Sequence, residues 1–164
     1  QRSEWKRSRA VRDGANVVVV RSMTKLHAIP GIRLGYVVAS PEVIARLERL
    51  QPSWSLDAVA QAVGPVALAE HPRRVEQLAP TWAVRDRLRA ALEGAGLELG
   101  PSRANFLLVR VGDGAGVRSA LLRRGVLVRD CGSFGLPEWI RVAVPRVEDE
   151  GRVRDMLLAV LGPR

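Results

Sequence analysis

The chain has 164 residues, a formal net charge of +9 and a hydrophobic content of 47%, which excludes a disordered protein and fits one domain or a domain with part of another. The basic excess suggests nucleic acid, but the arginines are interleaved with acids and aromatic residues make up 4%, so no nucleic-acid partner is expected. No apolar run approaches the roughly 20 residues that span a bilayer, so no membrane partner is expected either.

Short β-branched runs and apolar residues at helical spacing predict the secondary structure. In the first part of the chain, the predicted elements are a buried strand at 16–21, a second strand at 34–39, and helices at 42–50, 57–70 and 72–93. In the remainder, they are a strand at 104–111, a helix at 116–124, strands at 126–129 and 139–144, and a helix at 148–161. Pro65 is expected to kink the second helix, and Pro80 to bend or divide the third. Alternating strands and helices indicate a layered α/β or α+β fold.

The first two strands are too few for an independent sheet with its own core. We therefore expect residues 1–50 to be the C-terminal remnant of a larger domain. Residues 51–75 are expected to form a helical connector and residues 76–164 a small α/β domain. On this hypothesis the chain is a portion of a longer protein.

The loop SMTKLHAIPGIR, residues 22–33, carries the strongest chemical signal. Of the 26 basic residues only Lys6 and Lys25 are lysines, and Lys25 lies in this loop. The hydroxyls of Ser22 and Thr24, with the guanidinium of Arg33, suit a bound phosphate. A lysine beside a phosphate can condense with an aldehyde, and phosphate plus aldehyde describes pyridoxal 5'-phosphate (PLP).

The loop has two other interpretations. A surface turn with an incidental lysine and arginine explains the same residues. Ser22 and Lys25 also have the Ser-x-x-Lys spacing of penicillin-binding enzymes. That chemistry also requires a K-T-G motif, and neither lysine of this chain is followed by Thr-Gly.

Arg129 and Arg141 form the second candidate group, because each lies in or at the end of an apolar strand. Strand alternation places Arg141 on the face opposite Ile140 and Val142. An arginine there requires an anion, which is either a substrate carboxylate or phosphate or an internal acid such as Asp130 or Glu138.

The remaining motifs give less information about function. Gly112, Gly114 and Gly116 follow a strand but lack the complete dinucleotide-binding pattern, so a turn is expected. Cys131 is the single cysteine, which excludes an internal disulfide and favours a reducing, cytoplasmic compartment. No metal-binding spacing of His and Cys is found, so no metal is expected.

Together these segments resemble the fold-type I PLP enzymes, in particular the class I/II aminotransferases. The branch is that of histidinol-phosphate aminotransferase and threonine-phosphate decarboxylase. The resemblance covers roughly residues 16–160 and rests on several motifs in the same order, which are RSMTKLHAIPGIRLGY (21–36), QPSWSLDAVAQA (51–62), ANFLLVRV (104–111) and VLVRDCGSFGLPEWIRVAV (126–144).

The resemblance implies an aspartate aminotransferase-like fold, with the last part of a large domain followed by the α/β small domain. It implies that Lys25 is the Schiff-base lysine and that Ser22, Thr24 and Arg33 hold the PLP phosphate. It implies that Arg141 binds the substrate carboxylate and that Arg129 assists with the carboxylate or a substrate phosphate. Asn105 matches a small-domain asparagine that is assigned to the substrate side.

The implied activity is PLP-dependent transamination of an amino acid or amino-phosphate, with a homodimer as the full-length form. Two alternatives stay open. One is a threonine-phosphate decarboxylase-like lyase, which uses the same lysine, phosphate contacts and carboxylate arginine. The other is an inactive truncated remnant that serves as a binding module, because members of the family are about twice as long.

Overall fold

The computed structural model describes residues 16–162. The chain divides into two compact units, Gln1–Glu76 and Gln77–Arg164. Each unit is described by itself, over its residues 16–76 and 77–162. The assignment of residues 1–50, 51–75 and 76–164 to a large domain, a connector and a small domain stays a prediction.

The first unit contains a two-stranded antiparallel sheet and three helices. Its strands are β1 (Val19–Ser22) and β2 (Gly35–Val38), paired so that Ser22 faces Gly35. Its helices are α1 (Pro41–Leu50), α2 (Ala58–Ala69) and α3 (His71–Glu76).

The expectation of a buried strand at 16–21 was wrong in two respects, because β1 begins only at Val19 and is not buried. Strand β1 forms, but Val20 is 73% exposed and Val18 is 48% exposed. Within the described residues β1 pairs with β2 alone. The buried core of this unit lies instead around Met23, Leu34, Ala60 and Ala67, where the loop after β1 meets α2.

Prolines act differently in the two places where they interrupt helical patterns. The predicted helix 72–93 is divided, because α3 ends at Glu76 and α4 (Ala79–Gly94) begins with Pro80 in its first turn. Glu76 is four residues before Pro80, where the proline ring would collide with a helical carbonyl. Helix α2, by contrast, continues through Pro65.

Among residues 16–162, no helix has both the length and the apolar character required to cross a membrane.

The second unit is a three-stranded antiparallel sheet with helices against it. Its elements after α4 are β3 (Phe106–Arg110), α5 (Gly114–Leu122), β4 (Arg129–Cys131), β5 (Leu136–Ala143) and α6 (Glu150–Leu161). The strand order is β3-β5-β4, so the last strand in sequence lies in the centre. Short 3₁₀ turns precede β5 and α6.

One face of this sheet is buried and the other is open. Leu107, Val109, Ile140 and Val142 point into the core, where they join fully buried leucines of α4, α5 and α6. The alternate residues of β3 and β5 point to the opposite face, and Arg141 is one of them. Alternation therefore predicted the side on which Arg141 lies.

The strand predicted at 126–129 was misplaced. Val126 and Val128 are buried, as their apolar character requires, but ladder pairing begins only at Arg129. Burial without pairing is invisible to a sequence pattern, because both states select the same apolar residues. The predicted strand at 139–144 was too short, since β5 begins at Leu136.

Candidate functional site

The loop after β1 brings two hydroxyls and the predicted lysine together. Ser22 Oγ lies 2.8 Å from Thr24 Oγ1, and Lys25 Nζ donates a 3.4 Å hydrogen bond to Ser22 Oγ. Thr24 is 5% exposed, whereas Lys25 is exposed. The buried threonine thus orients the serine hydroxyl toward an amine that reaches solvent.

Backbone hydrogen bonds close this loop around the lysine. The amide of Met23 donates to the carbonyl oxygen of Leu34 at 3.1 Å, and the amide of Ile29 donates to the carbonyl oxygen of Thr24 at 3.1 Å. Ala28 follows with φ of +55°, in the left-handed region that residues with a Cβ rarely adopt. The loop is therefore anchored at both ends by the core and strained at its turn.

Gly35 is required where the loop returns to the sheet. A Cβ added at Gly35 would lie 2.6 Å from the carbonyl oxygen of Arg21, on the strand that carries Ser22. A larger residue would push β2 away from β1 at the point where the hydroxyls are positioned.

Arg33 is exposed and close in sequence, but its guanidinium is engaged locally. Its Nη1 donates a 3.0 Å hydrogen bond to the carbonyl oxygen of Pro30. A guanidinium has five N–H donors, so this bond leaves donors for an anion. The structure thus brings Ser22, Thr24 and Lys25 into one cluster and holds Arg33 through the loop backbone.

The second candidate group lies in the other unit, on the open face of the three-stranded sheet. Arg129 and Arg141 are direct cross-strand partners on β4 and β5. The guanidinium of Arg141 lies 5.3 Å from the ring centre of Phe106, and that of Arg129 lies 5.1 Å from Phe134. Arg129 Nη2 also donates a 3.1 Å hydrogen bond to Ser133 Oγ.

Arg141 does not form the alternative salt bridge to Asp130 or Glu138. Glu138 pairs with Arg110 at 2.8 Å, and Asp130 lies 4.0 Å from Arg118. Within residues 16–162, neither Arg129 nor Arg141 has a carboxylate within salt-bridge distance. The two arginines are cross-strand neighbours, and neither is neutralised by an acid in the described part of the chain, which suits an external anion.

Asn105 directly precedes β3, and its carbonyl oxygen accepts a 2.9 Å hydrogen bond from the amide of Val144. This bond fixes Asn105 beside the end of β5, and its side chain is exposed. Its predicted role toward substrate stays a prediction.

Cys131 is a buried neighbour of the arginine pair rather than a reactive thiol. It is 1% exposed, and burial raises the pKa of the thiol, against the opposing pull of Arg141 and Arg129. The thiol therefore stays protonated at neutral pH, and a protonated thiol is a poor nucleophile. In the described part of the chain, no cluster of three or more His, Cys, Asp and Glu side chains is placed to hold a metal ion.

Sequence reasoning missed the side chains that surround the predicted residues. Phe106 and Phe134 lie against the two arginines, and Arg118 approaches from α5. His27, two residues after Lys25, is 7% exposed and lies 5.7 Å from the ring of His71. No short motif marks these residues, because the contacts of Phe106, Arg118 and His71 join elements that only the fold brings together.

Comparison with known proteins identifies the family to which the chain is similar. The family model for aminotransferase class I and II matches residues 4–154. The histidinol-phosphate aminotransferase of Symbiobacterium thermophilum is 45% identical over 155 residues, covering 93% of this chain and 42% of the relative.

Solved structures agree with the sequence match. The histidinol-phosphate aminotransferase of Clostridium acetobutylicum superposes with a TM-score of 0.82 at 25% identity, over 92% of this chain and 47% of that one. The L-threonine-O-3-phosphate decarboxylase of Porphyromonas gingivalis superposes with a TM-score of 0.73 at 25% identity, over 94% and 49%. The chain thus spans less than half the length of these relatives and has the mixed α/β fold of PLP-dependent aminotransferases. The expected resemblance is confirmed, and the chain belongs to the class I and II aminotransferase family.

Proposed function

We propose that the chain carries the lysine, phosphate contacts and substrate arginines of a PLP-dependent aminotransferase that acts on an amino acid or amino-phosphate, as histidinol-phosphate aminotransferase does. The observation that carries this proposal is the cluster of Ser22, Thr24 and Lys25. The assignments of residues 1–50, 51–75 and 76–164, and a homodimer for the longer protein, belong to the same proposal.

The donor set fits the cofactor. Two hydroxyls and a guanidinium are suitable donors for phosphate oxygens, and an exposed primary amine 3.4 Å from Ser22 can reach an aldehyde nearby. When bound, PLP supplies an electron sink for the bonds of the substrate's α-carbon. Lys25 would hold PLP through its primary amine and would move a proton at the substrate's α-carbon.

The two arginines would hold the substrate. Arg141 has a fixed position over Phe106, so its planar donors would meet a carboxylate in a defined direction. Arg129, directly opposite, would bind the same carboxylate or a phosphate of the substrate. Asn105, at the end of the neighbouring strand, would contribute an exposed amide on the substrate side.

The test is reductive labelling. PLP is added to the 164-residue chain and, separately, to a longer protein that contains it. Borohydride then fixes any Schiff base, and peptide mass spectrometry locates the label. Label on Lys25, retained in Lys6→Arg and lost in Lys25→Arg, supports the proposal. Label on Lys6 alone, or none in the longer protein, contradicts it and favours a non-catalytic binding module.

A second function, phosphothreonine decarboxylation, is favoured by the likeness to the Porphyromonas gingivalis enzyme. The same lysine and carboxylate arginine would serve both reactions. The longer protein is therefore incubated with each substrate in turn. Amino transfer from histidinol phosphate to a 2-oxo acid identifies the aminotransferase, whereas release of carbon dioxide from threonine phosphate identifies the decarboxylase.

A further inference from the structure

The arginine pair has a carboxylate as its immediate neighbour. Asp130 follows Arg129 in sequence and lies opposite Ile140, the residue before Arg141. A carboxylate that turned to either guanidinium would neutralise half of the positive charge that an anionic substrate requires. Pairing with Ile140 directs Asp130 to the core face of the sheet, opposite the face of Arg141. A contact that keeps this partly exposed carboxylate on that side would protect the charge of the arginine pair.

Arg118 of α5 makes such a contact. Its Nε lies 4.0 Å from Oδ2 of Asp130, while Oδ1 of Asp130 accepts a 3.3 Å hydrogen bond from the amide of Gly132. Both side chains are about two-fifths exposed, at 41% and 39%. Both oxygens of Asp130 therefore have partners other than the arginine pair.

Arg118 also lines the same groove as the arginine pair. A groove of about 320 Å³ is lined by three arginines and three apolar residues, which are Arg118, Leu127, Val128, Arg129, Arg141 and Ala143. None of the lining residues is acidic. The groove is thus strongly positive, and the Asp130 carboxylate lies on its α5 side.

We propose that Arg118 is a positioning residue, which holds the Asp130 carboxylate away from Arg129 and Arg141 and so keeps their charge available to an anionic substrate. This inference rests on the proposed function, in which that pair binds the substrate's anionic group. It assigns Arg118 no direct contact with the substrate.

The test uses inorganic phosphate as the probe, titrated into the full 164-residue chain at low salt. Binding is followed at the Nε–Hε NMR signals of Arg129 and Arg141. Arg118→Gln is expected to weaken phosphate binding by about twofold to fivefold, the range for a partly exposed ion pair. Arg118→Lys, which keeps the charge, is expected to restore most of the affinity.

A double-mutant cycle separates positioning from direct binding. In an Asp130→Asn background, Arg118→Gln is expected to have no further effect, because no carboxylate remains to be released. The matched control is Arg123→Gln, which removes the same charge from the end of α5, outside this groove. It is expected to leave the affinity close to that of the parent chain.

Three results would overturn the inference. If Arg118→Gln binds phosphate as tightly as Arg123→Gln does, and phosphate still binds at Arg129 and Arg141, then Arg118 has no positioning role. The proposed substrate site would survive that result. If the loss persists with Asp130→Asn, Arg118 contacts the anion itself. If phosphate moves neither arginine signal in the unchanged chain, the proposed role of the pair fails together with the inference.

Discussion

Arg129 and Arg141 lie directly opposite each other on neighbouring antiparallel strands. Like charges in that relationship repel, and a sheet tolerates them only where another interaction compensates. An aromatic ring against each guanidinium supplies part of the compensation. A bound anion would relieve the remaining repulsion. The pair therefore lowers the stability of the fold and raises its affinity for an anion.

Replacement of Arg141 should separate those two effects. Arg141→Gln is expected to weaken binding of the substrate's anionic group by about tenfold to a hundredfold, the range for hydrogen bonds to a charged group. The free energy of unfolding should stay the same or rise, because the cross-strand repulsion is removed. Arg141→Lys should restore little binding, because an ammonium lacks the planar donors. Phosphate titration and urea unfolding measure the two quantities, and a clear loss of stability in Arg141→Gln would contradict this account.

The strained turn beside Lys25 predicts that one substitution stabilises the fold. Ala28 has φ of +55°, which costs a residue with a Cβ about 1–2 kcal/mol. Ala28→Gly removes that cost and adds an entropic cost of about 0.5–1 kcal/mol, so the unfolding free energy should rise by about 0.5 kcal/mol.

The matched control is Ala45→Gly, on the exposed side of α1. In a helix the same change carries only the entropic cost, so this variant should lose about 0.5–1 kcal/mol. Urea unfolding compares the two variants with the parent chain. Equal losses in both would show that the turn at Ala28 is not strained.

The sequence predicted the order of the elements and the face of Arg141 because both follow from local periodicity. Val142 and Ile140 alternate with Arg141, and the structure buries the first two. It did not predict where pairing begins in β4, because Val126 and Val128 are buried without ladder partners. Strand boundaries depend on which neighbour is present, and that information is not local.

In the candidate site, too, the contacts between residues close in sequence were predictable and the tertiary contacts were not. Ser22, Thr24 and Lys25 lie within four residues, so their spacing alone indicated a cluster, and the structure forms it. The choice of partner for Asp130 was not predictable, because Arg118 is twelve residues away on a helix that only tertiary packing brings near. Sequence reasoning therefore finds contiguous motifs and misses the side chains that support them.

Two consecutive leucines of α5 test the packing of the second unit. Leu121 is fully buried in the core, whereas Leu122 is 48% exposed. Leu121→Ala should lower the free energy of unfolding by about 2–5 kcal/mol, from lost burial and the cavity that remains. Leu122→Ala should lower it by less than about 1 kcal/mol, because much of that side chain is already in water. Urea unfolding followed at amide signals of this unit distinguishes the two, and similar losses would place α5 in a different rotation against the sheet.

The contact between His27 and His71 predicts a pH dependence in the first unit. Burial of His27, with the positive charges of His71 and Arg74 nearby, lowers the His27 pKa below its ordinary value of 6.5. When the pH falls below 6.5, the unfolded chain therefore binds a proton at this residue that the folded chain does not yet bind. The unfolding free energy should fall from that point and level off below the folded pKa.

The chain has two histidines, so both ring signals can be assigned in one NMR titration with the help of His71→Gln. The same variant removes one of the neighbouring charges, so it should raise the His27 pKa toward 6.5. Urea unfolding from about pH 7.5 to about pH 5, followed at the amide signals of residues 23–34, should show the loss of stability in the parent chain. His27→Gln should remove this component, since the ionisable ring is gone. A His27 pKa at or above 6.5 in the folded chain would contradict the buried contact and the coupling of the Lys25 loop to α3.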